Sequence, residues 1–124
     1  MDKLEYIPGD LVTYNGNIVI IENSDGYYAT YYDEDEFLQE VNVNAIEGIP
    51  LTPAILEKNG WKRDGKFYCM STKRAYLYTT QDTGQSDEFL ICAGECKHNL
   101  TSVRFVHQLQ HFLFCLNINS DLEV

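Results

Sequence analysis

The stretch FVHQLQHFLFCL, from Phe105 to Leu116, sets His107, His111 and Cys115 four residues apart. On a helix that spacing brings neighbouring members to one face, and two histidines at i and i+4 can share a zinc ion. In an H-E-x-x-H helix a glutamate between them acts as general base. Here Gln108, Leu109 and Gln110 fill the gap, so that chemistry is missing. All three residues cannot ligate one ion, because eight helical residues separate His107 from Cys115, about 12 Å of rise. The stripe is therefore a pairwise ligand set or the outer face of a structural helix. A second cluster, Cys92-Ala93-Gly94-Glu95-Cys96-Lys97-His98, has C-x3-C-x-H spacing and offers Cys92, Cys96 and His98 to a structural zinc. Cys69 or His107 would have to complete that set; otherwise the cluster is a loop beside a strand end. A third group, Asp33-Glu34-Asp35-Glu36, is a carboxylate run without the D-x-D-x-D-G pattern of a calcium loop.

The elements that carry these groups change character along the chain. The first part reads as β-structure. Residues 10–14 and 18–21 flank Asn15-Gly16, the strongest short hairpin signal, because a type I′ turn needs two positive φ angles. Asn23-Ser24-Asp25-Gly26 makes the next turn. Residues 27–32 form a third strand and 38–43 a fourth, with Leu38, Val41 and Val43 facing inward. Alternation would set Tyr27 and Tyr31 on one face and Tyr28 and Tyr32 on the other. Short strands at this spacing, opened by Pro8-Gly9-Asp10, predict a small SH3-like β-barrel or meander over residues 1–48. Gly48-Ile49-Pro50 marks a junction. Thr52 then caps a short helix that starts at Pro53 and stops at Gly60. Strands are expected at 66–70, 74–80 and 88–93, with a polar loop at 81–87. A last helix over 103–116, capped by Thr101 or Ser102, would face the core with Phe105, Val106, Leu109, Phe112, Leu113 and Leu116. The expected fold class is α+β, with a second subdomain over 49–124 packed on the first.

Bulk properties narrow the function. The chain has 124 residues, enough for one domain or two joined halves. No apolar run reaches the length of a membrane span. The start, MDKLEYIPGD, lacks the apolar centre of a signal peptide, so a cytoplasmic protein with free thiols is expected. No G-x-S-x-G, P-loop or G-x-G-x-x-G occurs, so neither catalysis nor a cofactor is implied. Net charge is −10 and uneven: residues 1–60 hold 12 Asp and Glu against 2 Lys. Such a half repels nucleic acid and attracts basic surfaces. Direct nucleic-acid binding would depend on Lys62, Arg63, Lys66, Lys73 and Arg74, against the global charge.

Three stretches resemble a type of small uncharacterised protein from Bacteroidetes genomes, their phages and mobile elements. They are IPLTPAILEKNGW at 49–61, VHQLQ at 106–110 and the DLEV end at 121–124. Those proteins share an IPLT–helix–NGF segment and an HQLQ final helix; here Trp61 stands in place of the usual Phe. The resemblance implies an accessory protein of a phage or mobile element and a structural role for His107. With the acidic half it gives the leading expectation: a non-enzymatic protein that binds a basic host protein, such as a nuclease or defence component, by mimicking phosphates. Tyr28, Tyr32, Asp33, Glu34, Asp35 and Glu36 would carry that contact, since tyrosine is enriched at binding hot spots. The other reading of this face is an edge strand protected by charge. A small zinc-binding regulatory protein and a nucleic-acid-binding module are the alternatives.

Overall fold

A computed structural model describes residues 6–65, 67–72, 76–80, 88–93 and 98–124. The chain forms an α+β structure of antiparallel strands with two α-helices. It divides into two compact units, Met1–Ile49 and Pro50–Val124.

In the first unit, Asn15 and Gly16 adopt φ of 54° and 82° and close the hairpin of β1 (Leu11–Tyr14) and β2 (Asn17–Ile20). Past Ile20 the chain does not turn back. Ile21 N–H donates to the Asp10 carbonyl at 2.9 Å, and Glu22 N–H donates to the Thr30 carbonyl at 2.7 Å. The run therefore leaves one sheet and enters another as β3 (Asn23–Ser24), which pairs with β4 (Tyr28–Tyr32). β5 (Leu38–Asn42) completes that sheet. A 3-10 turn at Val43–Ala45 is capped by the Asn42 side chain, and β6 (Ile46–Gly48) then pairs back onto β1. Two three-stranded sheets result, β2-β1-β6 and β3-β4-β5, and no closed barrel forms among the described residues. Tyr6, Val12, Ile21, Ala29, Val41 and Ile46 make the core, with Tyr14, Val19, Tyr31 and Val43 packed on it.

Two expectations about facing fail here. Leu38 is 56% exposed, because its register partner Tyr32 lies on the outer face and opposite residues share a face. Tyr27 is 76% exposed and precedes β4. The Asp25 carboxylate accepts from the amides of Tyr27 and Tyr28, which holds Tyr27 in the turn.

The second unit opens with α1 (Pro53–Lys58), where Thr52 Oγ1 accepts from Ile55 N–H. The helix ends in a Schellman motif. Gly60 has φ of 90°, its amide reaches the Glu57 carbonyl, and Trp61 N–H reaches Leu56. Leu56 and Trp61 are both buried, as the apolar contact of that motif requires. A five-stranded meander follows: β7 (Lys62–Asp64), β8 (Phe67–Ser71), β9 (Tyr76–Thr80), β10 (Phe89–Ala93) and β11 (His98–Val103), in sheet order β11-β10-β9-β8-β7. A register shift between Ile91 and Cys92 marks a bulge against β11. The polar loop at 81–87, with Lys66, Lys73 and Arg74, lies outside the described residues.

α2 spans Val106–Cys115, not 103–116, because β11 continues through Val103. Thr101 and Ser102 lie in that strand and cap nothing. The first turn is satisfied from inside: Gln108 Oε1 accepts from Arg104 N–H at 2.7 Å and Phe105 N–H at 3.1 Å. Phe105 has no side-chain acceptor, so only the glutamine half of a capping box exists. The far end is a second Schellman motif, with Asn117 at φ 58° and Ile118 N–H on the Leu113 carbonyl.

Trp61 has a fully buried indole N–H with no acceptor among the described residues. Phenylalanine removes that orphan donor while keeping most of the volume. Trp61→Phe is expected to change stability by less than about 1.5 kcal/mol, and Trp61→Ala to cost about 3–5 kcal/mol. Urea midpoints of the two variants check this; equal losses would show that the indole edge, not ring volume, holds the site.

Candidate binding surface

α2 shows where the histidine stripe lies. At about 100° per residue, the buried positions Val106, His107, Leu109, Gln110 and Leu113 cover an arc of about 160°. That arc is displaced from the expected stripe towards His107 and Gln110. His107 is 2% exposed, not on an outer face, and its ring stacks on Phe105 at 5.8 Å and 12°. His111 meets His107 edge-on at 5.7 Å, while Cys115 is exposed. The three residues thus occupy three different environments. Among the described residues no group of three His, Cys, Asp or Glu could hold a metal ion.

Of the proposed zinc set, Cys92 is buried in β10, on the same side of the sheet as Tyr78 and Cys69 by register. Backbone pairing places His98 opposite Ala93. Cys96 and the His98 side chain lie outside the described residues. Next to Cys69, the Tyr76 phenol is raised above its ordinary value, first by electrostatic interaction with Cys69 and then by partial desolvation. Of the basic group considered for nucleic acid, Lys62 and Arg63 are exposed on β7.

The motif residues of the second unit act as clamps. Leu51 N–H donates to the Arg104 carbonyl, next to a Pro50–Phe105 bridge. Gln110 Nε2 donates to the Ser120 carbonyl at 3.1 Å, which places the returning tail over a buried glutamine. The Asn59 amide exchanges two hydrogen bonds with the backbone of Glu123, each 2.7 Å, and also donates to Ile55. Lys58 Nζ donates to the Val124 carbonyl at 2.9 Å. The NG segment, the HQLQ segment and the end of the chain are thereby tied together. The tail forms no strand; side-chain amides hold it.

The acidic face lies wholly in the first unit, whose 49 residues hold eleven Asp and Glu against Lys3 alone. β4 and β5 project Tyr28 (48% exposed) and Tyr32 (56% exposed) outward, with Phe37 and Leu38 exposed beside them. The hairpin loop is built on Asp33. Its carboxylate accepts from the amides of Asp35 and Phe37 and from Gln39 Nε2, at 2.8–2.9 Å. Glu36 takes φ of 64° to close the turn. Glu34, Asp35 and Glu36 are exposed, and their carboxylates engage no donor among the described residues. Of the six expected contact residues, five point outward, and Asp33 shapes the loop.

Sequence reasoning missed what lies beside this loop. Tyr14 and Tyr31 meet at 6.0 Å with a 51° tilt. With Val19, Tyr32, Glu34 and Asp35 they line an open groove of about 520 Å³. The position of Tyr14 at an Asn-Gly turn was a usable signal; its pairing with Tyr31 was not, because it crosses between sheets.

Comparison with known protein families, with curated proteins and with solved structures gives no match. No helix among the described residues is long and apolar enough to cross a membrane.

Two outcomes follow. Asn59→Ala should cost about 1–2 kcal/mol and free the tail, so the Glu123 amide exchanges its hydrogen faster than in the wild type. Unchanged exchange would show that the Asn59 side chain does not hold the tail. Separately, Asp33 and Asp25 lie below the ordinary carboxylate value of 3.8, held there mainly by the amides of Phe37 and Tyr28 respectively. A depressed folded-state pKa contributes stability above the unfolded value and loses it as pH falls through the folded one. Unfolding midpoints should therefore drop from about pH 5 downward, with a shallower slope in Asp25→Asn and Asp33→Asn. Parallel slopes would refute the coupling.

Proposed function

We propose that this protein is a non-enzymatic binding protein whose acidic first unit docks on a basic partner protein. One observation carries the reading. Tyr32, Phe37 and Leu38 stand exposed at the loop that carries three unengaged carboxylates, and Tyr28 is exposed at the far end of the same strand, in a unit with a single lysine. Exposed aromatics supply desolvated anchors, and the surrounding carboxylates steer a basic surface and set register. The same juxtaposition suits a partner that normally binds nucleic acid, because its arginines and lysines then meet carboxylates in place of phosphates. The resemblance of residues 49–61, 106–110 and 121–124 to phage and mobile-element proteins adds the biological setting: an accessory protein acting on a host nuclease or defence component.

The architecture supports an SH3-like reading of the first unit. A bent run over 17–24 serves two sheets, and a 3-10 turn precedes a last strand that returns to the first. Such small sheets leave their loops and outer faces free for a partner.

The test is capture of partners from a bacterial lysate with the tagged full chain, eluted across a salt gradient and identified by mass spectrometry. A specific basic protein released at moderate salt is expected. The triple variant Glu34→Lys, Asp35→Lys, Glu36→Lys should weaken that interaction about tenfold or more with the fold intact, because it leaves Asp33 in place. Full retention by the triple variant would sink the acidic-face reading.

A further inference from the structure

We infer that the groove between the β1–β2 hairpin and the β4–β5 loop receives an arginine side chain of the partner. The inference rests on the partner-binding reading above and names the group that the partner inserts.

The groove combines two tyrosines with a charged rim. Tyr14 and Tyr31 line it, each half-buried and packed on the core, so neither ring has to be ordered when a ligand arrives. Neither phenol has a hydrogen-bond partner among the described residues. Glu34 and Asp35 line the same groove, and their carboxylates accept nothing among the described residues. Asp33, which also lines it, is already engaged by three donors and fixes where its two neighbours stand. A volume of about 520 Å³ is ample for a side chain with its flanking backbone.

The chemistry selects a cation that is flat. A cation over a tyrosine face is attracted by the ring quadrupole, and carboxylates at the rim add charge pairing. A methylated ammonium is round and needs rings on several sides. Here the two tyrosine rings pack on each other at 6.0 Å, which leaves no slot between them. A guanidinium needs one open face to stack on and a carboxylate in reach of its fork. Tyrosine rings and free carboxylates line the same groove. A lysine ammonium would gain ring attraction and charge pairing, but neither planar stacking nor a two-pronged carboxylate contact.

The probe is a short peptide containing two arginines separated by glycine, titrated into the full chain and followed by amide NMR shifts. Matched peptides carry lysine or citrulline instead, the latter a neutral isostere of arginine. The arginine peptide is expected to move residues 14, 17–19 and 31–35 in a saturable, salt-sensitive way. Affinity should fall at least fivefold with lysine and vanish with citrulline. Tyr31→Leu keeps an apolar side chain on the core but removes the ring face; it should lose at least fivefold, whereas Tyr31→Phe retains binding. Equal shifts with lysine and arginine, or shifts spread over the whole acidic unit, would overturn the inference. Failure here is separable from failure of the broader reading. A captured partner lost by the triple lysine variant but kept by Tyr31→Leu upholds the acidic face and overturns the groove. A groove that titrates with arginine while no lysate protein is captured upholds the groove and weakens the proposed partner class.

Discussion

The acidic hairpin depends on the carboxylate of Asp33. A loop of four consecutive acidic residues repels itself, which opposes a compact turn. Asp33 reverses that by accepting two backbone amides and one side-chain amide at once. One negative charge becomes the organising acceptor of the loop, and the next three are turned to solvent. The strand pair that follows is then in register, with Tyr32 opposite Leu38 and Tyr28 opposite Asn42. Asp25 does the same at the preceding turn, where its carboxylate holds the amides of Tyr27 and Tyr28. The unit therefore tolerates its charge partly by using carboxylates as backbone caps.

The second unit follows a different logic. Its net charge balances, and the residues that make its sequence distinctive hold backbone in place. Gln108 caps the start of α2, Gln110 fastens the returning chain, and Asn59 pairs with the backbone near the end. His107 completes the HQLQ segment by stacking on Phe105. Each of these polar side chains makes local geometry more specific. That separates the segments that resemble other proteins from the surface proposed to bind. The former set a scaffold; the latter lies in the other unit.

Much of the scaffold was legible because local chemistry dictates it. Asn15-Gly16 demanded positive φ, Thr52-Pro53 announced a helix start, and Gly60 its end. The start of α2 was not legible, because its cap comes from a glutamine inside the helix and not from the preceding Thr or Ser. The burial of His107 escaped for a related reason. A wheel ranks residues by hydrophobicity, yet the helix is covered on the side of Gln110 by a tail that amides hold. Tyr27 was misassigned because a strand pattern was extended through a residue that the Asp25 turn had already claimed. Of the candidate site, the exposed tyrosines and carboxylates followed from alternation and composition. The Tyr14–Tyr31 groove did not, since it joins residues from two sheets that the bend at Ile21 and the 3-10 turn at Val43–Ala45 bring together.

Charge alone would make a poor recognition surface. Exposed ion pairs contribute little and fade beyond a Debye length of about 8 Å at physiological salt. An acidic unit that selects one basic partner among many needs groups whose attraction survives screening. Aromatic faces provide that, because stacking and burial depend on shape and desolvation more than on ionic strength. The first unit supplies two kinds: outward tyrosines on the β4–β5 face and half-buried ones in the groove. The outward rings must lose freedom when a partner arrives, whereas Tyr14 and Tyr31 are already held by the core. In the proposed complex, preorganisation would make the groove the anchor and leave the charged face to steer approach. On this view the core cluster around Ile21 has a second consequence beyond stability: it fixes the ring pair against which a cation can stack.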